Sequence, residues 1–300
     1  LYFNPPLRRK PWTILNGRVL LVNHCREFPR VSVIIPTYNR SWCLSEAIDS
    51  VLSQTFQNME LIVVDDGSAD ETPALLSRYG NRLRCLRQTN QGVSAARNGG
   101  IQAARGNLIA LLDSDDSWQP DKLARQVAFF NTHPDAMICQ TEEIWIRRGV
   151  RVNPKRRHRK PSGWIFEPSL ALCLVSPSAV MMRRNLLEET GGFDESLPAC
   201  EDYDLWLRVS LRYPIHLIDD ALVVKRVGHD DQLSRQHSLD RYRIQSLVKI
   251  IGSEPLTDDQ TQAASAMLRE KCRIYAAGCR KHGRFEEAKA YEMVAEQHRA

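Results

Sequence analysis

The sequence predicts an α/β fold, a sheet flanked by helices. Three observations carry that prediction. Short apolar runs of four or five residues alternate with segments of helical periodicity across residues 31–140. The chain has 300 residues, 43% hydrophobic and 26% charged, enough for a sizeable core and too apolar for global disorder. No run approaches the ~18 apolar residues of a membrane span; the most apolar stretch, residues 171–182, is broken by Ser176, Pro177 and Ser178.

The elements follow in order. Residues 1–29 read as an N-terminal extension, with a short hairpin from 12–15 and 19–22 around Asn16-Gly17. Residues 31–35 form a continuous apolar run, as in a strand buried on both faces. Residues 45–54 are helical through Ala47, Ile48, Val51 and Leu52. Strands at 61–64, 83–86, 108–112 and 136–140 alternate with helices at 73–79, 93–104 and 121–131, and Pro120 marks the last helix's start. This order predicts parallel pairing with crossover helices, with ligands at the carboxyl ends of the strands. After residue 141 the regularity breaks. A hairpin at 143–152, a strand at 179–183, helices at 185–190 and 200–212, and strands at 215–218 and 221–227 follow. The last sixty residues read as helices, interrupted near 252–255 and 282–283. The domain reading is therefore 1–29, 30–238 and 239–300.

Polar segments fall at the expected binding edge. Asp113-Ser114-Asp115-Asp116 ends the fourth strand, and three carboxylates in four residues repel one another unless a cation or donors sit among them. A solvated turn capping the next helix is the other reading. Asp65-Asp66-Gly67-Ser68 ends the second strand, either as an Asx turn or as part of a binding edge. In Glu201-Asp202-Tyr203-Asp204 an acidic first turn suits the helix dipole, while Asp202 also suits a general base. His229 follows a strand and reads as structural or as a ligand.

Taken together, several segments resemble family 2 glycosyltransferases. They are Val-Ser-Val-Ile-Ile-Pro-Thr-Tyr-Asn-Arg (31–40), Val-Val-Asp-Asp-Gly-Ser (63–68), Asn90-Gln91-Gly92 with Ala96-Arg97-Asn98, and Leu-Asp-Ser-Asp-Asp (112–116) with Trp118. Gly191-Gly192-Phe193-Asp194-Glu195 and Glu-Asp-Tyr-Asp-Leu-Trp-Leu-Arg (201–208) complete the set, in the family's order across about 31–235. The resemblance implies a GT-A fold, a mixed Rossmann-like sheet flanked by helices, here with a C-terminal helical extension. It implies Mn²⁺ or Mg²⁺, a UDP-, GDP- or dTDP-sugar donor, and inversion at the anomeric carbon.

Roles carry over by position. Pro36, Thr37, Tyr38 and Arg40 would line the nucleotide pocket, and Asp66 would hydrogen-bond the base. Asp113 would lie near the ribose with Ser114 beside it. Asp115 and His229 would meet the metal, with Asp116 auxiliary. Arg97 would touch phosphate or buttress the site, and Asp202 would be the catalytic base. The absence of Gln-x-x-Arg-Trp after Asp202 favours single-sugar transfer over processive synthesis. The first strand runs into Pro-Thr-Tyr-Asn rather than a glycine-rich turn, which excludes a dinucleotide-dependent dehydrogenase. An inactive nucleotide-binding scaffold acting through its tail is the alternative; the complete set of acidic positions counts against it.

The net charge of +5 is unevenly placed: residues 147–160 carry eight basic and no acidic residues, leaving the remainder at −3. With no aromatics interleaved at 154–161, nucleic acid is not expected; a mobile loop near a saccharide or lipid-linked acceptor fits better, with peripheral contact to the inner membrane surface. Residues 272–295 resemble one tetratricopeptide-type hairpin, read as a cap on the catalytic domain or a partner surface. The eight cysteines show no zinc spacing and read as buried thiols, and nothing near the start has a signal-peptide layout. The expected location is cytoplasmic.

Overall fold

Two edge elements precede the main sheet. In the computed structural model, which describes residues 12–15, 18–21, 28–229, 232 and 238–298, β1 (Trp12–Leu15) and β2 (Arg18–Leu21) pair antiparallel. The expected Asn16-Gly17 turn lies outside the described residues, as does Cys25. The alternation then unfolds as β3 (Val31–Thr37), α1 (Leu44–Leu52), β4 (Met59–Asp65), α2 (Thr72–Ser77), β5 (Arg84–Arg87), α3 (Val93–Ala103) and β6 (Leu108–Leu111). It continues through β7 (Ser117–Trp118), α4 (Lys122–Thr132), β8 (Ile138–Arg147), β9 (Val150–Val152), α5 (Phe166–Ala171), β10 (Val180–Arg183), α6 (Arg184–Thr190) and α7 (Glu201–Arg212). Strand β11 (Ile215–Val227) and helices α8 (Leu239–Ser253), α9 (Asp258–Lys281) and α10 (Phe285–Gln297) complete the order.

Strand β3 is buried along its whole length. Its side chains alternate between two cores, as a two-residue period requires. Val31, Val33 and Ile35 meet α1 and α4 through Ile48, Val51 and Val127. Ile34 faces α3, α6 and α7 with Ala96, Leu186 and Trp206. At Gly100 on α3 an added Cβ would come within 2.4 Å of the Ile34 side chain, so glycine sets how closely α3 lies on the sheet.

The described strands of the main sheet run in the order β5-β4-β3-β6-β10-β8-β11-β7, with β9 on the far end of β8. The parallel direction holds for the strands predicted in residues 31–140, and the whole sheet is mixed. Strand β10 inserts antiparallel between β6 and β8, and β8 pairs parallel with β11. The reason is local: β10 enters from the 172–179 segment at the carboxyl edge of the sheet, so it must run backwards. Two reversals restore direction, and the carboxyl ends of β3, β4, β6, β8 and β11 share one edge. The expected strands at 215–218 and 221–227 are one strand with register shifts between Ile218 and Val223.

A third core joins Phe166 and Leu170 of α5 and Tyr203 and Leu207 of α7 to Leu247, Leu268 and Cys272 of α8 and α9. Helix α7 is therefore buried on two sides, and the C-terminal helices cap the body rather than standing apart. Helices α9 and α10 form a hairpin through the Tyr275–Tyr291 contact (4.5 Å) and the Tyr275 hydroxyl, which donates to Glu287 (2.7 Å). Among the described residues there is no disulfide, and no helix is long and apolar enough to cross a membrane.

Candidate active site

The ends of β3, β6, β8 and β11 and the start of α7 converge on one cleft of ≈970 Å³. Pro36, Arg40, Arg97, Asp113, Ser114, Asp115 and Asp202 all line it. A shallower depression of ≈630 Å³ beside Gln88, Asn98 and Phe193 holds none of the expected site residues.

The first wall is built from backbone turns. Thr37 is buried at the end of β3, its carbonyl accepting from the Asp66 N–H (2.9 Å), while Tyr38 is 46% exposed. Asn39 takes a left-handed conformation (φ +52°), which asparagine tolerates. It straps two loops together: its N–H donates to Ser68 Oγ (2.9 Å) and its Oδ1 accepts from the Ala69 N–H (2.8 Å). The Arg40 N–H donates to Thr72 Oγ1 (3.1 Å). Burial lifts the Asp70 carboxyl, but donors from Thr72 and Ser41 outweigh this and hold it at about 2. Asp66 is buried, accepting from Gln88 Nε2 (2.8 Å) and from the N–H groups of Gln91 (2.9 Å) and Gly92 (2.8 Å). It thereby fixes the loop before α3. Gly67 (φ +83°) is required there, because a Cβ would meet the Asn90 nitrogen at 2.8 Å.

The carboxylates after β6 have separate environments. Asp113 receives Arg97 Nη2 (2.7 Å), and its own N–H donates to Ser178 Oγ (3.1 Å). Asp115 lies 2.7 Å from His229 Nε2, and Trp42 packs edge-on to that imidazole at 5.7 Å. Burial, then the Asp113 charge, pushes the Asp115 carboxyl up. Asp116 is buried deeper, with Oδ2 accepting from Ser178 Oγ (2.7 Å) and Oδ1 from the Arg226 N–H (3.0 Å). Burial raises it well above the ordinary carboxylate range. Both its oxygens are committed to joining the β6 turn to β10 and β11.

Arg97 is the brace between walls. It is 4% exposed, and Nη1 reaches Glu201 (2.6 Å) while Nη2 holds Asp113. Burial opposes its charge, but Asp113 and Glu201 outweigh this and raise its pKa. Its guanidinium also lies 4.9 Å from the centre of the Phe193 ring. Glu201 precedes Asp202, and α7 starts from Cys200 in a left-handed conformation (φ +62°). For a cysteine that is strained, and it orients the helix's first turn toward the cleft. Asp202 Oδ1 accepts from the Tyr203 N–H (2.7 Å). Burial, then the nearby Asp202 charge, pushes the Cys173 thiol well up.

The second wall holds residues that the motifs did not single out. Lys160 lies at the end of the basic segment yet is buried, donating to the Thr141 carbonyl (2.8 Å) and pairing with Glu143 (3.0 Å). Burial lifts Glu143, but Lys160 and Lys225 outweigh it and hold the carboxyl at about 2. Lys225 on β11 donates to Ser176 Oγ (3.0 Å). Burial lowers its pKa, but Glu143, Asp116, Asp113 and Asp202 raise it further. A lysine inside the strand-like run 221–227 was the available signal for it. The expected mobile loop is thus pinned at its distal end: Gly163 bridges to Ile215, and the Leu217 N–H donates to Ser162 Oγ (3.1 Å).

Asp115 and His229 offer one carboxylate oxygen and one imidazole nitrogen. Among the described residues no group of three His, Cys, Asp or Glu could form a metal cage. Such a pair fits Mn²⁺ or Mg²⁺ shared with phosphate oxygens and water, not a cation held by protein alone.

Residues 32–191 match the model for Glycosyl transferase family 2. An uncharacterised glycosyltransferase from Rickettsia felis is 33% identical over 221 residues, 70% of this chain. The chain spans only 36% of that relative's length. Among solved structures, S. aureus TarS 1–349 in complex with UDP-GlcNAc superposes with a TM-score of 0.67 at 18% identity, covering 89% of this chain and 92% of TarS 1–349. The mannosyltransferase PcManGT from Pyrobaculum calidifontis, in complex with GDP-Man and Mn²⁺, gives 0.60 at 20% identity, with 90% and 80% covered. These likenesses establish the GT-A fold. With more than half its length matched by the family model, the chain belongs to glycosyltransferase family 2.

Proposed function

We propose that the protein transfers a single sugar, with inversion, from a nucleotide-sugar donor to an acceptor hydroxyl, using Mn²⁺ or Mg²⁺. The observation that carries this reading is the convergence of Asp113, Asp115 and Asp202 on one cleft, with Asp115 beside His229. The UDP-GlcNAc and GDP-Man complexes of the structural neighbours support a nucleotide-sugar donor, and the Mn²⁺ of PcManGT supports a divalent cation.

Pro36, Arg40 and Ser114 line the cleft at its proposed nucleotide end, while Thr37, Tyr38 and Asp66 adjoin it without lining it. Asp66 already accepts three protein hydrogen bonds, so one remaining lone-pair direction is what it offers a base. Arg97 holds Asp113 in place for the ribose through Nη2, while Nη1 is engaged by Glu201. Asp202 takes the proton of the acceptor hydroxyl as that oxygen bonds to the anomeric carbon. The bond from that carbon to the diphosphate breaks on the opposite face, and its electron pair leaves with the diphosphate. Asp115 and His229 would hold the cation, which would supply positive charge where the leaving group becomes anionic.

The test is release of nucleoside diphosphate from UDP-, GDP- and dTDP-sugars, with Mn²⁺ and with chelator. The expected outcome is turnover of one base class, lost on chelation. No release and no metal-dependent nucleotide binding across the panel would contradict the reading.

A further inference from the structure

The second wall carries more positive charge than the donor reaction uses. Among the described residues the cleft is lined by nine arginines and lysines against six carboxylates. The other six cations are spoken for: Arg97 by Asp113 and Glu201, Lys160 by Glu143, Arg226 by Glu46, Arg243 by Asp240, Lys225 by the charges of Glu143 and Asp116, and Arg40 by that of Asp115. A nucleoside diphosphate brings its own divalent cation and is largely neutralised by it. Arg147, Arg148 and Arg157 remain, and among the described residues they have no carboxylate partner.

Their placement is built rather than accidental. The β8–β9 hairpin carries Arg147 and Arg148 at the cleft rim. The buried Lys160–Glu143 pair ties the following segment back, which holds Arg157 and His158 over the same opening. Between them Trp145 lines the cleft, its ring 5.3 Å from that of His158 and its Nε1–H donating to Glu143 (2.9 Å). An aromatic face beside guanidinium forks suits a sugar ring bearing an oxyanion.

From this arrangement, and resting on the glycosyltransferase reading, we infer that the acceptor is an anionic saccharide whose phosphate or carboxylate groups are held by Arg148 and Arg157, with a sugar ring against Trp145. Nothing in this requires a loop movement, because Lys160 already fixes the segment.

The test measures binding to the full chain by calorimetry, with nucleoside diphosphate and Mn²⁺ saturating the donor site. The probes are maltopentaose, maltopentaose carrying 6-phosphate groups, and pentagalacturonate. The account expects at least one charged oligomer to bind about tenfold tighter than maltopentaose, and that advantage to fall about tenfold in Arg148→Asn/Arg157→Gln. Asparagine is chosen because Arg148 has φ +51°. Preference for the phosphorylated probe or for the uronate identifies the oxyanion. Equal binding of charged and neutral oligomers, or an unaltered preference in the folded double variant, overturns the inference. So does a variant that loses nucleoside diphosphate affinity instead, since the arginines then serve the donor. Failure of the nucleotide to bind wild type at all would instead contradict the glycosyltransferase reading.

Discussion

The two walls of the cleft are built on opposite principles. On the wall from β3, β4 and β6, carboxylates are held by backbone N–H groups, by Ser178 and by Arg97. Each acid there has a partner that defines its direction. On the wall from β8, β9 and β11, the buried Lys160–Glu143 pair and the Gly163–Ile215 bridge fix the segment, while Arg147, Arg148 and Arg157 line the cleft without acidic partners among the described residues. The first wall is held by its own contacts, because each of its carboxylates has a partner within the fold. The second is a cationic surface whose arginines have no carboxylate partner among the described residues. The difference teaches that one half of the cleft is fixed by its own contacts, which suits the proposed donor site, while the other leaves charge open, which suits the proposed acceptor.

The sharpest way to break the comparison is to remove the brace. Arg97→Gln leaves the buried Glu201 and the half-buried Asp113 without a counter-charge, and should destabilise the protein by about 3–5 kcal/mol in denaturant unfolding. A loss under 1 kcal/mol would mean that the first wall does not depend on this pair. Next, Asp115→Ala should weaken Mn²⁺-dependent nucleotide binding at least ~100-fold in calorimetry, with the melting temperature preserved, since one of the two proposed protein ligands is lost. Unchanged affinity would remove Asp115 from the metal site.

A smaller effect tests the core beneath the walls. Lys122 is fully buried, with Nζ donating to Gln126 Oε1 (2.7 Å) and lying 3.9 Å from the Trp118 ring centre. Burial lowers its pKa from 10.5 to about 7. Between those values the unfolded chain binds the extra proton, so the penalty is complete below pH 7 and vanishes as pH rises toward 10.5. Wild type should therefore gain about 2 kcal/mol of stability from pH 7 to pH 9 relative to Lys122→Met. Parallel pH profiles for the two proteins would show that Lys122 stays protonated in the fold.

Legibility in the sequence follows the same division. The continuous run at 31–35 and the acidic turns after it were readable because they are local: apolar period and turn chemistry sit within ten residues. Strand bounds there shift by one or two residues. The insertion of β10 was not readable, because alternation gives the order of elements and not their neighbours. The brace from Arg97 to Glu201 spans 104 residues and leaves no local pattern. Asp116 looked like a companion of Asp115 by spacing, yet burial and the Arg226 N–H give it a structural task. The basic segment was visible only as charge. That Lys160 is its buried anchor depends on Glu143, seventeen residues earlier, and on Thr141 beneath it.

The most direct test of the central claim compares binding with turnover in Asp202→Asn. Asp202 lies on the cleft, and its Oδ1 accepts from the Tyr203 N–H (2.7 Å). The account predicts nucleotide-sugar affinity with Mn²⁺ within about twofold of wild type and sugar transfer reduced by 10²-fold or more, roughly the contribution of a positioned general base. Transfer at the wild-type rate would contradict it, because the proton of the acceptor hydroxyl would then be leaving by another route.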